Sequence, residues 1–146
     1  MQARILGPGQ GRPLDILGIP MLEKATSDDL SGGAAVLVQT VPPAGGPPQH
    51  VHHETDEFFY VLEGELDVWV GHKRTKLVAG MSATLPRGIP HGFTNPAREP
   101  AKVLVVVTPG EGAAFFDDID RERPVLPNEM AKLDAIVARH DLEFVE

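Results

Sequence analysis

The chain has no cysteine, which removes disulfides, thiolate metal ligands and cysteine nucleophiles together. It has no run of about 18 or more apolar residues, so no membrane-spanning helix is expected. Met1-Gln2-Ala3-Arg4-Ile5 opens no long apolar segment behind a basic start, so no signal peptide is expected and a cytoplasmic location is the default. Lysine and arginine do not cluster, and the formal net charge is −8. Both facts disfavour nucleic acid as a partner, because phosphate binding needs concentrated positive charge. Internal repeats and low-complexity segments are absent, and helix-like periodicity is scarce.

What is present fits an ordinary globular chain. At 146 residues, 42% hydrophobic and 23% charged, it is expected to form one domain, 1–146, around a single core. Its 15 glycines and 14 prolines suggest many short strands joined by turns. Residues 4–24 read as short strands: Ile5-Leu6, then 14–17 and 19–24 as a hairpin broken at Gly18. Residues 26–33 are polar and end in glycine, as a loop does. Residues 34–41 alternate, with Val36, Val38 and Thr40 on one face and Ala35, Leu37, Gln39 and Val41 on the other. The proline-rich 42–48 cannot hold a ladder and reads as a stiff loop.

Residues 56–62 are apolar at both parities, which predicts a strand covered on both sides, by a packed outer surface or a dimer contact. Segments 66–70, 75–78, 81–85, 91–94 and 102–108 complete the strands, with a hairpin tip at Gly71-His72-Lys73-Arg74. The tail from 111 to 146 changes character. Residues 111–120 read as a short helix carrying Phe115, Phe116 and Ile119. A second helix is expected at about 129–140, with Asn128 as N-cap and Met130, Leu133, Ile136 and Val137 on one side.

The chemistry concentrates between Gly45 and Asn95. His50 and His52 are two apart, so on a strand both imidazoles point to one face. Glu57 is five residues beyond His52, an odd step, so it joins them only if His53-Glu54-Thr55-Asp56 turns or bulges. His91 follows Pro86-Arg87-Gly88-Ile89-Pro90, which reverses the chain. Three imidazoles and one carboxylate suit a divalent transition metal. His53 alternates away from His52 and suits a surface role, and His72 and His140 read as exposed. Gly88 and Asn95 read as turn-formers. Trp69, Phe59 and Phe93 are core residues by default and cavity-lining candidates, Phe93 above all because it shares a face with His91.

These residues resemble the two motifs of the cupins. His50-x-His52, four residues, Glu57, six residues, Gly64 fits the first motif, except that its leading glycine falls on Ala44, with Gly45 and Gly46 just after. Gly80, Pro86, Gly88, His91 and Asn95 fit the second motif at every position, after a 15-residue gap, 65–79. The resemblance implies an all-β jelly-roll (double-stranded β-helix) barrel, its core at about 14–108, with short C-terminal helices. It carries metal ligation onto His50, His52, Glu57 and His91. Within the family, Gly46-Pro47-Pro48-Gln49-His50-Val51-His52-His53 and Phe58-Phe59-Tyr60-Val61-Leu62-Glu63-Gly64 look most like quercetin-dioxygenase-like members.

The expectation is therefore a dioxygenase that uses Fe, Mn, Ni or Co, with Zn as a further occupant, on a small phenolic or enolisable compound such as a flavonol. Glu57 would be both ligand and proton acceptor. The alternatives are a non-catalytic small-molecule-binding cupin, as sensor or store, and another cupin reaction such as isomerisation. Cupins commonly pair through the outer sheet, so a homodimer is expected.

Overall fold

The computed structural model describes residues 2–145. Its strands are β1 (Arg12–Ile16), β2 (Ile19–Ala25), β3 (Ala35–Val41), β4 (His50–His52), β5 (Asp56–Glu63), β6 (Glu65–Val70), β7 (Lys73–Val78), β8 (Ser82–Leu85), β9 (His91–Thr94), β10 (Ala101–Thr108) and β11 (Leu142–Phe144). Every pairing is antiparallel. One sheet runs β1-β2-β3-β10-β5-β8 and the other β11-β4-β9-β6-β7. This is the jelly-roll, double-stranded β-helix arrangement.

The core follows from strand alternation. Ala35, Leu37, Gln39 and Val41 of β3 point inward, as do Glu57, Phe59 and Val61 of β5 and Ala101, Val103, Val105 and Val107 of β10. Leu66 and Val68 of β6 and Phe93 of β9 face them from the second sheet. Fully burying one such side chain contributes roughly 1.5–3 kcal/mol, so these interlocked rows dominate the fold's stability.

Two helices, α1 (Ala114–Glu122) and α2 (Met130–Ala138), follow the barrel. Phe115, Phe116 and Ile119 of α1 and Leu133, Ile136 and Val137 of α2 are buried. Helix α1 packs on β1 and α2, and α2 packs on β11.

Several expectations need correction. Ile5-Leu6 forms no strand, and Ile5 is fully exposed: two apolar residues have no partner rung beside the turn that follows. A short 3-10 turn, Asp28–Leu30, interrupts the loop at 26–33. Another, Gly110–Ala113, precedes α1. Glu129, not Asn128, occupies the N-cap position of α2, and its side chain accepts a hydrogen bond from the Val125 N–H at 2.8 Å. Of the two covers expected for β5, a packed outer surface is not seen among the described residues, since Tyr60 and Leu62 are exposed. The tail ends in β11 rather than in a helix. His140 is half-buried, its Nε2 2.7 Å from Asp118 Oδ2.

Candidate metal centre

Alternation along β4 aims His50 and His52 into the barrel from one face. The chain then bends at His53 and Glu54, absorbing the odd step, and Glu57 enters on the inward row of β5. His91 comes from β9, directly opposite His50 in the ladder. The turn before it is held twice. The Gly88 N–H donates to the His52 carbonyl at 2.7 Å. Arg87 donates from its backbone N–H and its guanidinium to Asp56, at 2.8–3.1 Å. Asn95 is buried and donates to the carbonyls of Val41 and Glu99, at 3.0 and 2.8 Å, so it is a turn-former.

The four side chains are all buried, and a ligand atom of each lies within 4.8 Å of the others. The His50 and His91 ring centroids are 4.5 Å apart, those of His52 and His91 5.5 Å. The Nδ1 of His50 is 2.8 Å from the Pro48 carbonyl, and that of His91 3.3 Å from the Ile89 carbonyl. A carbonyl accepts only from an N–H, so these contacts put the proton on Nδ1 and leave Nε2 as the free lone pair.

Nε2 of His52 and Nε2 of His91 are buried with no hydrogen-bond partner. Glu57 Oε1 lies 2.7 Å from His52 Nε2. Converging lone pairs without donors are costly in a dry interior. They fit a cation.

The electrostatics agree. Burial, then repulsion from His91, pushes His50 down to about 4. Burial also lowers His91. For Glu57 burial works upward, but the approach of His52 and the charge of the surrounding imidazoles reverse this and bring it to about 2. Neutral imidazoles and an ionised carboxylate are the forms that ligate a metal. His50, His52, Glu57 and His91 could therefore hold a divalent metal ion.

His50 and Glu57 open onto a cavity of about 180 Å³. Phe59 and Phe93 line it, edge to face with centroids 5.5 Å apart. Trp69 does not; it points outward, with the Arg74 guanidinium stacked 4.8 Å from its ring centre. Phe115, Phe116 and Phe144 from the tail complete the lining, and Phe115 sits 5.5 Å from the His52 ring. Sequence reasoning missed this contribution, and also Gln39, whose inward parity was visible. His53 is exposed, its Nε2 3.0 Å from Glu143, and His72 is exposed.

Residues 37–107 match the family model described as a cupin domain. Over 75 residues the chain is 31% identical to the HTH-type transcriptional regulator PuuR of Escherichia coli (strain K12), covering 51% of this chain and 40% of that protein. Over 46 residues it is 39% identical to the quercetin 2,3-dioxygenase of Bacillus subtilis (strain 168), covering 32% and 14%. It thus spans less than half the length of either relative. A solved Klebsiella pneumoniae structure with a double-stranded β-helix domain is 26% identical, with a TM-score of 0.57 and coverage of 75% of this chain and 92% of that one. Among the described residues no helix is long and apolar enough to cross a membrane.

Proposed function

The chain belongs to the cupin superfamily, and from that premise we propose that it is a metal-dependent dioxygenase acting on a small phenolic or enolisable compound. One observation carries the reading: three imidazoles and a carboxylate, two of the nitrogens unpartnered, converge beside an apolar cavity that His50 and Glu57 line. The ligands are His50, His52, Glu57 and His91. The metal is Fe, Mn, Ni or Co, with Zn as an alternative occupant. When bound, it supplies Lewis acidity toward a hydroxyl or enol oxygen.

The protein's own groups do the rest. Glu57, ionised, accepts the hydroxyl proton, and the resulting anion reacts with O₂, both of whose atoms enter the product. Phe59 and Phe93 pack the ring. Phe115, Phe116 and Phe144 exclude water. The cavity of about 180 Å³ is below the roughly 300–1,000 Å³ of drug-sized pockets. A single-ring compound therefore suits it better than a flavonol. The whole chain acts as one domain. Two copies pair through the apolar outer rungs Val38–Leu104–Tyr60 and Val36–Val106–Phe58.

A second reading, a non-catalytic ligand sensor, is favoured by the likeness to a transcriptional regulator. One experiment separates them: metal content of protein purified without chelator, beside His91→Ala, followed by O₂ uptake with single-ring phenols. About one equivalent of Fe, Mn, Ni or Co, lost in the variant, with O₂ consumed, supports the dioxygenase. Bound phenol without O₂ uptake supports the sensor. Absence of metal even after reconstitution overturns the metal-dependent reading.

A further inference from the structure

Gln39 is the polar member of an otherwise apolar inward row, Ala35, Leu37, Gln39 and Val41. It is 1% exposed, and its Nε2 has no hydrogen-bond partner. It faces the same cavity as His50 and Glu57. It does so from a different level. Across the sheet, Glu57 shares a rung with Val107 and Ala35, whereas Gln39 shares one with Val103 and Val61. The two rungs are four residue steps apart on β10, about 13 Å along the strand. Between them the wall is apolar, with Phe59 beside Val105, and Met21 shares the Gln39 rung.

The cavity therefore has polar groups at two places and hydrocarbon between. Near one end are the metal ligands. Toward the other is a single amide N–H pair that is desolvated and unpaired. An unmade hydrogen bond to a buried donor is a standing cost in the free protein. A ligand acceptor reaching that nitrogen would remove the cost, and a purely hydrocarbon end would not. A site of this kind discriminates by the acceptor, because the analogue lacking it leaves the donor unpaired.

Resting on the proposed function, we infer that Gln39 is a specificity-determining residue. Its Nε2 donates to a carbonyl or ether oxygen on the end of the substrate remote from the histidines. The substrate class is then a single-ring compound with an enol or phenol at one end and an acceptor oxygen at the other.

The test uses protein loaded with cobalt and titrated by calorimetry with catechol and with 4-acetylcatechol, in wild type and Gln39→Met. Wild type binds 4-acetylcatechol about tenfold tighter than catechol, the worth of one hydrogen bond to a buried donor. Gln39→Met loses that preference but keeps its catechol affinity. The metal-free variant melts no lower than wild type, because methionine fills the space without an unpaired donor. An equal preference in both proteins overturns the inference and leaves the metal reading standing. So does a Gln39→Met melting temperature several degrees below wild type, which would make the amide a structural group. Failure of both compounds to bind the loaded wild type overturns the inference together with the reading it rests on.

Discussion

Phe144 stands opposite His50 where β11 pairs with β4, and the two rings are 6.3 Å apart, edge toward face. Strand β4 is only three residues long. It meets β9 through the single pair His50–His91, but β11 through three consecutive pairs. The tail is therefore the main backbone partner of the strand that carries two ligands. Leu142, buried and opposite His52, anchors it. Leu142→Ala should cost roughly 2–5 kcal/mol by urea unfolding and lower the metal stoichiometry of the protein that remains folded. Full metal binding in a destabilised variant would mean that β9 alone holds β4.

Gly46 is the point of closest approach between the proline-rich loop and β9. At φ +143° it lies outside the usual range of residues with a side chain, and a Cβ there would come within 1.9 Å of the Phe93 carbonyl oxygen. That oxygen is backbone and cannot yield cheaply. Gly46→Ala should destabilise the protein by about 3 kcal/mol or more and shift β9, so that His91 is misplaced and metal uptake falls. A melting temperature within a degree of wild type would show that the loop swings clear.

How much of this was legible depends on range. His50, His52, Glu57 and His91 could be read because two spaced motifs carry them and because β parity fixes the face of each. The same parity put Gln39 on an inward row and would have turned Trp69 outward, opposite to Leu66 and Val68. Reading Trp69 as a core residue and a cavity-lining candidate gave its apolar bulk more weight than its parity. Strand β11 was not legible. Leu142-Glu143-Phe144 is too short to show alternation, and its pairing with β4 spans some 90 residues of chain. Phe115 and Phe116 read correctly as helical, but nothing local says which surface that helix covers. The leading glycine of the first motif is absent at Ala44, which takes φ +62°. The close approach falls instead on Gly46.

The outer face of the larger sheet is apolar over two adjacent rungs that cross β3, β10 and β5. Tyr60 is 38% and Leu62 43% exposed, while Leu104 and Val106 are half-buried. An exposed patch of this kind marks an association surface, and the proposed homodimer would use it. In the proposed homodimer, Leu104→Arg would put a charge into the apolar contact. By light scattering, wild type should be a dimer and Leu104→Arg a monomer with unchanged metal content, since the side chain faces away from the barrel interior. A monomeric wild type would remove the dimer.

Asp118 links α1 to the end of the tail. It lies 2.7 Å from His140 Nε2 and 3.4 Å from Arg139, and it also pairs with Arg121. The hydrogen bond from His140, aided by Arg121 and opposed by slight burial, holds the Asp118 carboxyl down to about 2. A depressed carboxylate pKa favours the fold when ionised, so its contribution is complete above the unfolded value near 4. It is lost as pH falls toward about 2. Asp118→Asn should therefore unfold more easily at neutral pH, by about 1 kcal/mol once solvent screening is allowed for. The gap between variant and wild type should close as pH falls from about 4 toward 2. Urea melts at a series of pH values measure this directly. A gap that stays constant with pH would assign the loss to packing at the α1–tail contact. A gap that closes would show that charge on Asp118 holds the tail, and so β11, over the ligand strand.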